Sequence, residues 1–336
     1  MAEYNTYEIE NEKGMKAVLT DIGAAVVSLF VKDNTGKFID VVLGYDDLEK
    51  YKEEWCYFGA IVGRNCNRIS DAKIKLGEKE YILEGNDRGN NLHSGSKSTS
   101  KLVWSVKSHS KEAITFNIIS KDKEQGFPGT ASISVTYEIS PYNELIISYE
   151  GIADKTTVFN MTSHCYFNLN GHDSGDVLDQ ELQINANNIT PVKDDKAIPT
   201  GELSPVENTP FDFRTSKKIG RDIEADYDQL KYGNGYDHNF AINKTVIGIE
   251  KVAKAYSSKS GITMDVLSDC PGLQLYTANF IKGQIGKKGA AYDNRGAFCL
   301  ETQYFPNAIN EENFKSPIVR VGDLYQSRTI YRFSVN

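Results

Sequence analysis

The stretch ASISVTYEIS, residues 131–140, alternates apolar and polar positions: Ala131, Ile133, Val135, Tyr137 and Ile139 share one face, with polar residues between them. A period of two is the mark of a half-buried strand. PYNE follows as a turn, and LIISYEG resumes the alternation with Leu145, Ile147 and Tyr149, so the segment reads as a β-hairpin. The same pattern predicts strands in KIKLGEKEYIL (73–83), AITFNIIS (113–120), GITMDVLS (261–268) and YRFSV (331–335). Helical signals are few and short, for example DDLEKYKEE (46–54) and GRDIEADYDQL (220–230). No repeat, low-complexity tract or Pro/Ser linker divides the 336 residues. The expectation is one domain over residues 1–336, all-β, built as a large antiparallel sandwich or barrel with a few short helices.

Composition narrows the partners. A hydrophobic fraction of 40% with 25% charged residues is ordinary for a globular protein. The net charge of −8 repels polyanions and leaves no electrostatic footprint for nucleic acid, so neutral ligands fit better. The first residues, MAEYNTYEIENEKG, lack a basic region followed by an apolar core, and AAVVSLFV at 24–31 is too short to cross a bilayer. A cytoplasmic protein with no membrane contact is expected. The cysteines, at 56, 66, 165, 270 and 299, are odd in number and form no CxxC pair. They read as small buried thiols rather than a disulfide framework or zinc knuckle.

Five segments carry more ionisable and aromatic chemistry than a plain β core needs. GRNCNRIS (63–70) presents Asn67 and Arg68, GNNLHSG (89–95) presents His93, and TSHCYFNLNG (162–171) sets His164 among strand-forming residues. GYDHNF (235–240) sets Asp237 and His238 between aromatics, and CLETQYFPNAIN (299–310) brings Glu301 in behind Phe298, Cys299 and Leu300. Taken singly, an arginine in a turn meets a carboxylate, a histidine is a satisfied polar residue and Asp237 caps a turn. Glu301 is different, because its apolar approach predicts a desolvated carboxyl with a raised pKa, suited to a general base near neutrality.

Other chemistries lose their usual supports. The five histidines contain no HxxxH pairing, so a metal site would need separate loops to converge. There is no GxSxG elbow, no GxxxxGK[ST] loop and no GxGxxG after a strand.

Seven segments together resemble the aldose 1-epimerases, or galactose mutarotases: GRNCNRI, NNLHSG, GFPG (126–129), TSHCYFNLNG, TPFDFR (209–214), YDHNF and ETQYFPNAIN. They occur in that family's order and spacing over nearly the whole chain. The resemblance implies a large β-sandwich of the mutarotase type, a sugar cleft across one sheet, and neither cofactor nor metal. It implies that His164 is the general acid and Glu301 the general base, and that Asn67, Arg68, His93, Asp237 and Gln274 (in PGLQLYTAN) hold the sugar's hydroxyls and ring oxygen. The sequence departs from the family's commonest pattern at Ser94, Ser163, Cys165, Ala278, Tyr304 and Asn307. These neighbours of the active groups bear on sugar preference.

The implied reaction opens a pyranose to its aldehyde and closes it on the other carbonyl face. Glu301 would take the anomeric proton while His164 gives one to the ring oxygen, so no full charge builds up on the sugar. His164 is expected on a strand, because rigid elements position groups best. It is expected to be held cationic at neutral pH by Glu301 or Asp237, with Arg68 donating where negative charge develops.

Three rivals remain at this level. A hexose-6-phosphate epimerase of the same fold would need a basic cluster, for which Lys282, Lys287 and Lys288 are the candidates. A non-catalytic carbohydrate-binding protein would not need both His164 and Glu301. A glycosidase would use a pair of carboxylates, such as Asp237 with Glu301. A monosaccharide is the expected partner, and a monomer or weak homodimer the expected assembly.

Overall fold

The computed structural model describes residues 4–53 and 55–335. The predicted hairpin forms as Ala131–Ile139 against Glu144–Ala153, in register from Ala131↔Ala153 to Ile139↔Leu145. Asn143, at φ 57°, makes the turn, a conformation that asparagine tolerates better than most residues. All eight apolar residues assigned to the hairpin's inner face are buried. The hairpin supplies the third and fourth strands of a nine-stranded sheet. Ala113–Ser120 flanks it on one side, and on the other Tyr325–Val335 joins it to Ile262–Ser268.

Two smaller sheets complete the sandwich. A four-stranded sheet runs in chain order from Thr6–Glu10 to Phe38–Asp40. A five-stranded sheet has Asp237–Ile242, Gly272–Tyr276 and Cys299–Gln303 as successive neighbours at one end. One apolar core joins the three sheets: Leu19 and Leu29, Ile133 and Tyr149, and Phe240, Leu273, Leu275 and Leu300 all belong to it. The hydroxyl of Tyr331, from the large sheet, donates to the Leu300 carbonyl at 2.9 Å and ties the five-stranded sheet to it.

The fold is therefore the expected all-β sandwich, with two differences in detail. The helix expected over 46–54 is four residues, Lys50–Glu53, and residue 54 lies outside the described residues. The helix expected over 220–230 is instead a short 3₁₀ turn, Ile219–Arg221, a bend, and then Asp228–Gly233. Backbone bonds from Ala225 to Asp222 and from Tyr227 to Ala225 close tight turns in between, so the buried Ile223 enters the core from a turn.

Candidate active site

Strand register builds the floor of the site. Glu301 lies opposite Gln274 and Gln274 opposite Asn239, while Cys299 lies opposite Tyr276 and Tyr276 opposite Asp237. Side chains alternate along a strand, so Cys299, Glu301 and Gln303 share one face while Leu300 goes to the core. Gly272, opposite Gln303, keeps this floor flat: a Cβ there would sit 2.4 Å from Asn239 Oδ1.

Connecting segments supply the rest. Asn67 and His93 both have left-handed backbones, and the Asn67 N–H donates to His93 Nδ1 at 3.1 Å. Arg68 reaches Asp87 at 2.8 Å, so its structural partner is a carboxylate that the sequence did not single out. His164 follows directly after the two-residue strand Thr162–Ser163 rather than lying within one. It is anchored just as a strand residue would be, its N–H donating to Ala60 O and its carbonyl accepting from Gly59 N–H. Its ring stacks between Tyr166, 5.0 Å away at 18°, and Tyr57, 5.9 Å away at 23°.

All seven predicted site residues line one cleft: Asn67, Arg68, His93, His164, Asp237, Gln274 and Glu301. A roomier cleft elsewhere, walled by Met15, Val31, Phe38 and Phe333, has no histidine, and its charged groups, Glu12, Lys13 and Lys32, are exposed. His164 Nε2 lies 3.7 Å from Glu301 Oε1, and both side chains are almost fully buried. Glu301 Oε2 is buried with no hydrogen-bond partner, the mark of a group awaiting one. Beside them Gln274 Nε2 donates to Asp237 Oδ1 at 2.7 Å and Gln303 Nε2 to Gln274 Oε1 at 3.3 Å, which fixes the orientation of each group.

Burial dominates the electrostatics. Desolvation pushes the Glu301 carboxyl well above its ordinary range, Asp237 adds to the rise, and the Arg68 cation opposes it. Asp237 is raised too, chiefly by burial. Desolvation lowers His164 to about 4. The expectation of a cationic His164 is thus corrected: burial disfavours the imidazolium more than the neighbouring carboxyls stabilise it, because burial drives those carboxyls toward their neutral forms as well. Of the two groups, burial favours the proton on Glu301 over His164.

Not every conspicuous motif reaches the cleft. Arg64 is buried and donates to Ser120 Oγ and to the carbonyls of Ser120, Lys121, Pro128 and Gly129, which makes GFPG its receptacle. In TPFDFR, Phe211 and Phe213 are core, and Pro210 O accepts the Tyr236 hydroxyl. His238 points away to Gln229. The basic cluster required by a phosphosugar does not form at the site. Lys287 is buried against Asp40 at 2.6 Å, and none of Lys282, Lys287 and Lys288 lines the cleft. The walls also hold Trp55, Tyr57, Leu92, Tyr166, Tyr276 and Phe280. Tyr276 was legible as the residue two beyond Gln274 on the same face, whereas Tyr57 has no local signal. His164, Cys299 and Glu301 do converge, with one donor atom from each within 4.8 Å of the others, so the separation of these residues in sequence did not keep metal-ligating types apart.

An antiparallel sandwich whose polar cleft sets a buried imidazole and a buried carboxyl face to face has the groups that proton transfer between neighbouring atoms of a small polar molecule needs. Comparison narrows the class. The family model described as aldose 1-epimerase matches residues 5–332. Galactose mutarotase of Sus scrofa is 39% identical over 93% of this chain and 89% of its own. Aldose 1-epimerase of Escherichia coli K12 is 32% identical over 98% and 95%. The crystal structure of a GalM/aldose epimerase homologue from C. elegans superposes with a TM-score of 0.90 at 30% identity, covering 99% of each chain. The chain belongs to the aldose 1-epimerase family.

Proposed function

We propose that this chain interconverts the α and β anomers of free hexoses such as D-galactose and D-glucose, with His164 and Glu301 as its acid and base. The observation that carries the reading is the approach of Nε2 to Oε1 at 3.7 Å inside a cleft lined by polar side chains. The ring oxygen and the anomeric oxygen are both bonded to the first carbon of a pyranose. An acid for one and a base for the other must therefore stand close together.

In the ring-opening direction Glu301 takes the proton of the anomeric hydroxyl and His164 Nε2 gives one to the ring oxygen. The carbon–oxygen bond breaks and the aldehyde forms. The pair is left with a protonated carboxyl and a neutral imidazole, the protonation that burial favours. After rotation about the first carbon–carbon bond, the two protons return and the ring closes on the other face. Sugar hydroxyls and the Arg68 cation favour the carboxylate when a pyranose is bound, moving the shared proton to His164. Asn67, Arg68, His93, Asp237 and Gln274 hold the hydroxyls and the ring oxygen. Tyr57 and Tyr166 fix the plane of the imidazole.

A cytoplasmic monomer or weak homodimer, folded as one domain, belongs to the same reading. Its five buried thiols suit a reducing compartment. Polarimetry of freshly dissolved α-D-galactose, α-D-glucose, D-xylose, L-arabinose and glucose 6-phosphate tests the proposal. Free hexoses should relax to equilibrium far faster with the protein than without it, and the phosphate ester should not. Sugar binding by calorimetry without any acceleration would instead indicate a carbohydrate-binding protein.

A further inference from the structure

Two tyrosines hold the faces of the His164 ring. Stacking fixes a ring's plane, but it does not distinguish a half-turn about the Cβ–Cγ bond, which exchanges nitrogen and carbon positions. Only contacts at the ring's edge tell the two orientations apart. One strand supplies such contacts at both nitrogens. Cys299 Sγ lies 3.6 Å from Nδ1 and Glu301 Oε1 lies 3.7 Å from Nε2, from residues two apart on one strand face. We propose that Cys299 is a positioning residue for the epimerase reaction: its thiol holds Nδ1 of His164, so that Nε2 is the nitrogen turned toward Glu301 and the sugar's ring oxygen. The inference rests on the reading of His164 as the acid.

A thiol suits this place because of what Nδ1 presents during turnover. The imidazolium, and the imidazole that has given up its Nε2 proton, both present an N–H at Nδ1, which sulfur accepts. Burial pushes the Cys299 thiol well above its ordinary range, so it keeps its proton throughout. The ring's own carbonyl can accept from the same N–H, but it also receives the Gly59 N–H at 3.0 Å.

Polarimetric kinetics of Cys299→Ala and Cys299→Ser, run beside the parent enzyme, test the proposal. Cys299→Ala should lower kcat roughly threefold to tenfold, the worth of one hydrogen bond, with KM unchanged. Cys299→Ser keeps an acceptor and should recover most of the loss. The ¹⁵N resonance of His164 Nδ1 should shift between parent and serine variant while Nε2 stays in place, and this comparison decides the matter if the alanine variant does not fold. Parental kcat in Cys299→Ala, equal losses in the serine and alanine variants, or an unmoved Nδ1 resonance in Cys299→Ser would overturn the assignment. It would leave the epimerase function standing, since that reading fails only if the parent enzyme does not accelerate mutarotation.

Discussion

The hairpin Ala131–Ala153 and the strand Cys299–Gln303 obey the same alternation and use it for opposite ends. In the hairpin one face is apolar and buried while the other is mostly polar and mostly in contact with water, so most groups lie in the medium they prefer, the buried Glu144 and the exposed Ile152 excepted. In the Glu301 strand all five residues are buried, and the second face buries a thiol, a carboxyl and an amide. The hairpin's burial stabilises the fold by about 1.5–3 kcal/mol for each large apolar side chain. The strand's burial works against the fold, leaving Glu301 Oε2 without a partner, and it is this discomfort that moves the carboxyl into a range useful for proton transfer.

The sharpest way to break the comparison is to neutralise the strand. Glu301→Gln and His164→Asn should each lower kcat by at least about a hundredfold, measured by polarimetry, with circular dichroism and melting unchanged or improved. Ile133→Ala, in the hairpin, should do the reverse. It should cost about 2–5 kcal/mol of stability in a denaturant titration and leave the turnover of the folded fraction at the parental value.

The dependence of stability on pH separates His164 and Glu301 further. Glu301 is raised in the folded protein, so above about pH 4.5 the unfolded chain has released a proton that the folded one retains, and stability falls as pH rises toward the folded value. Glu301→Gln removes that loss. Its advantage over the parent should grow with pH across this window, by up to about 1.4 kcal/mol per unit. His164 acts in the opposite sense. Its folded value of about 4 lies below the unfolded 6.5, so stability is lost as pH falls between them, and His164→Asn should be spared that loss. The activity of the parent should fall below about pH 4, where the pair gains a second proton, and again above the raised value of Glu301, where it loses its only one. The smallest effect is expected at the floor, where Gln274→Ala should raise KM roughly threefold to tenfold, equivalent to about one hydrogen bond.

What the sequence made legible follows from the same contrast. The hairpin could be read because one of its faces meets water. Of the strand Tyr325–Val335 only the last five residues were legible, because Ser327 and Thr329 occupy its buried face and hide the period. The segment 220–230 looked helical because Ile223, Tyr227 and Leu230 are spaced like one helix face, whereas tight turns deliver the first of them to the core. At the site, Glu301 stood out through its apolar approach. The charge of His164 was misjudged because a chain reveals which charges it carries but not which of them are buried, here by stacking with Tyr57 and Tyr166. Asp87, the partner of Arg68, lay in a loop with no feature to mark it.

The central claim is that one proton is shared by His164 and Glu301 and that the two groups act as a unit. The double variant His164→Asn/Glu301→Gln, measured by polarimetry on α-D-galactose against both single variants, tests it most directly. Groups acting as a unit are lost together, so the double variant should be about as slow as the slower single variant. If the two losses instead multiply, the residues act independently and the shared-proton account is wrong.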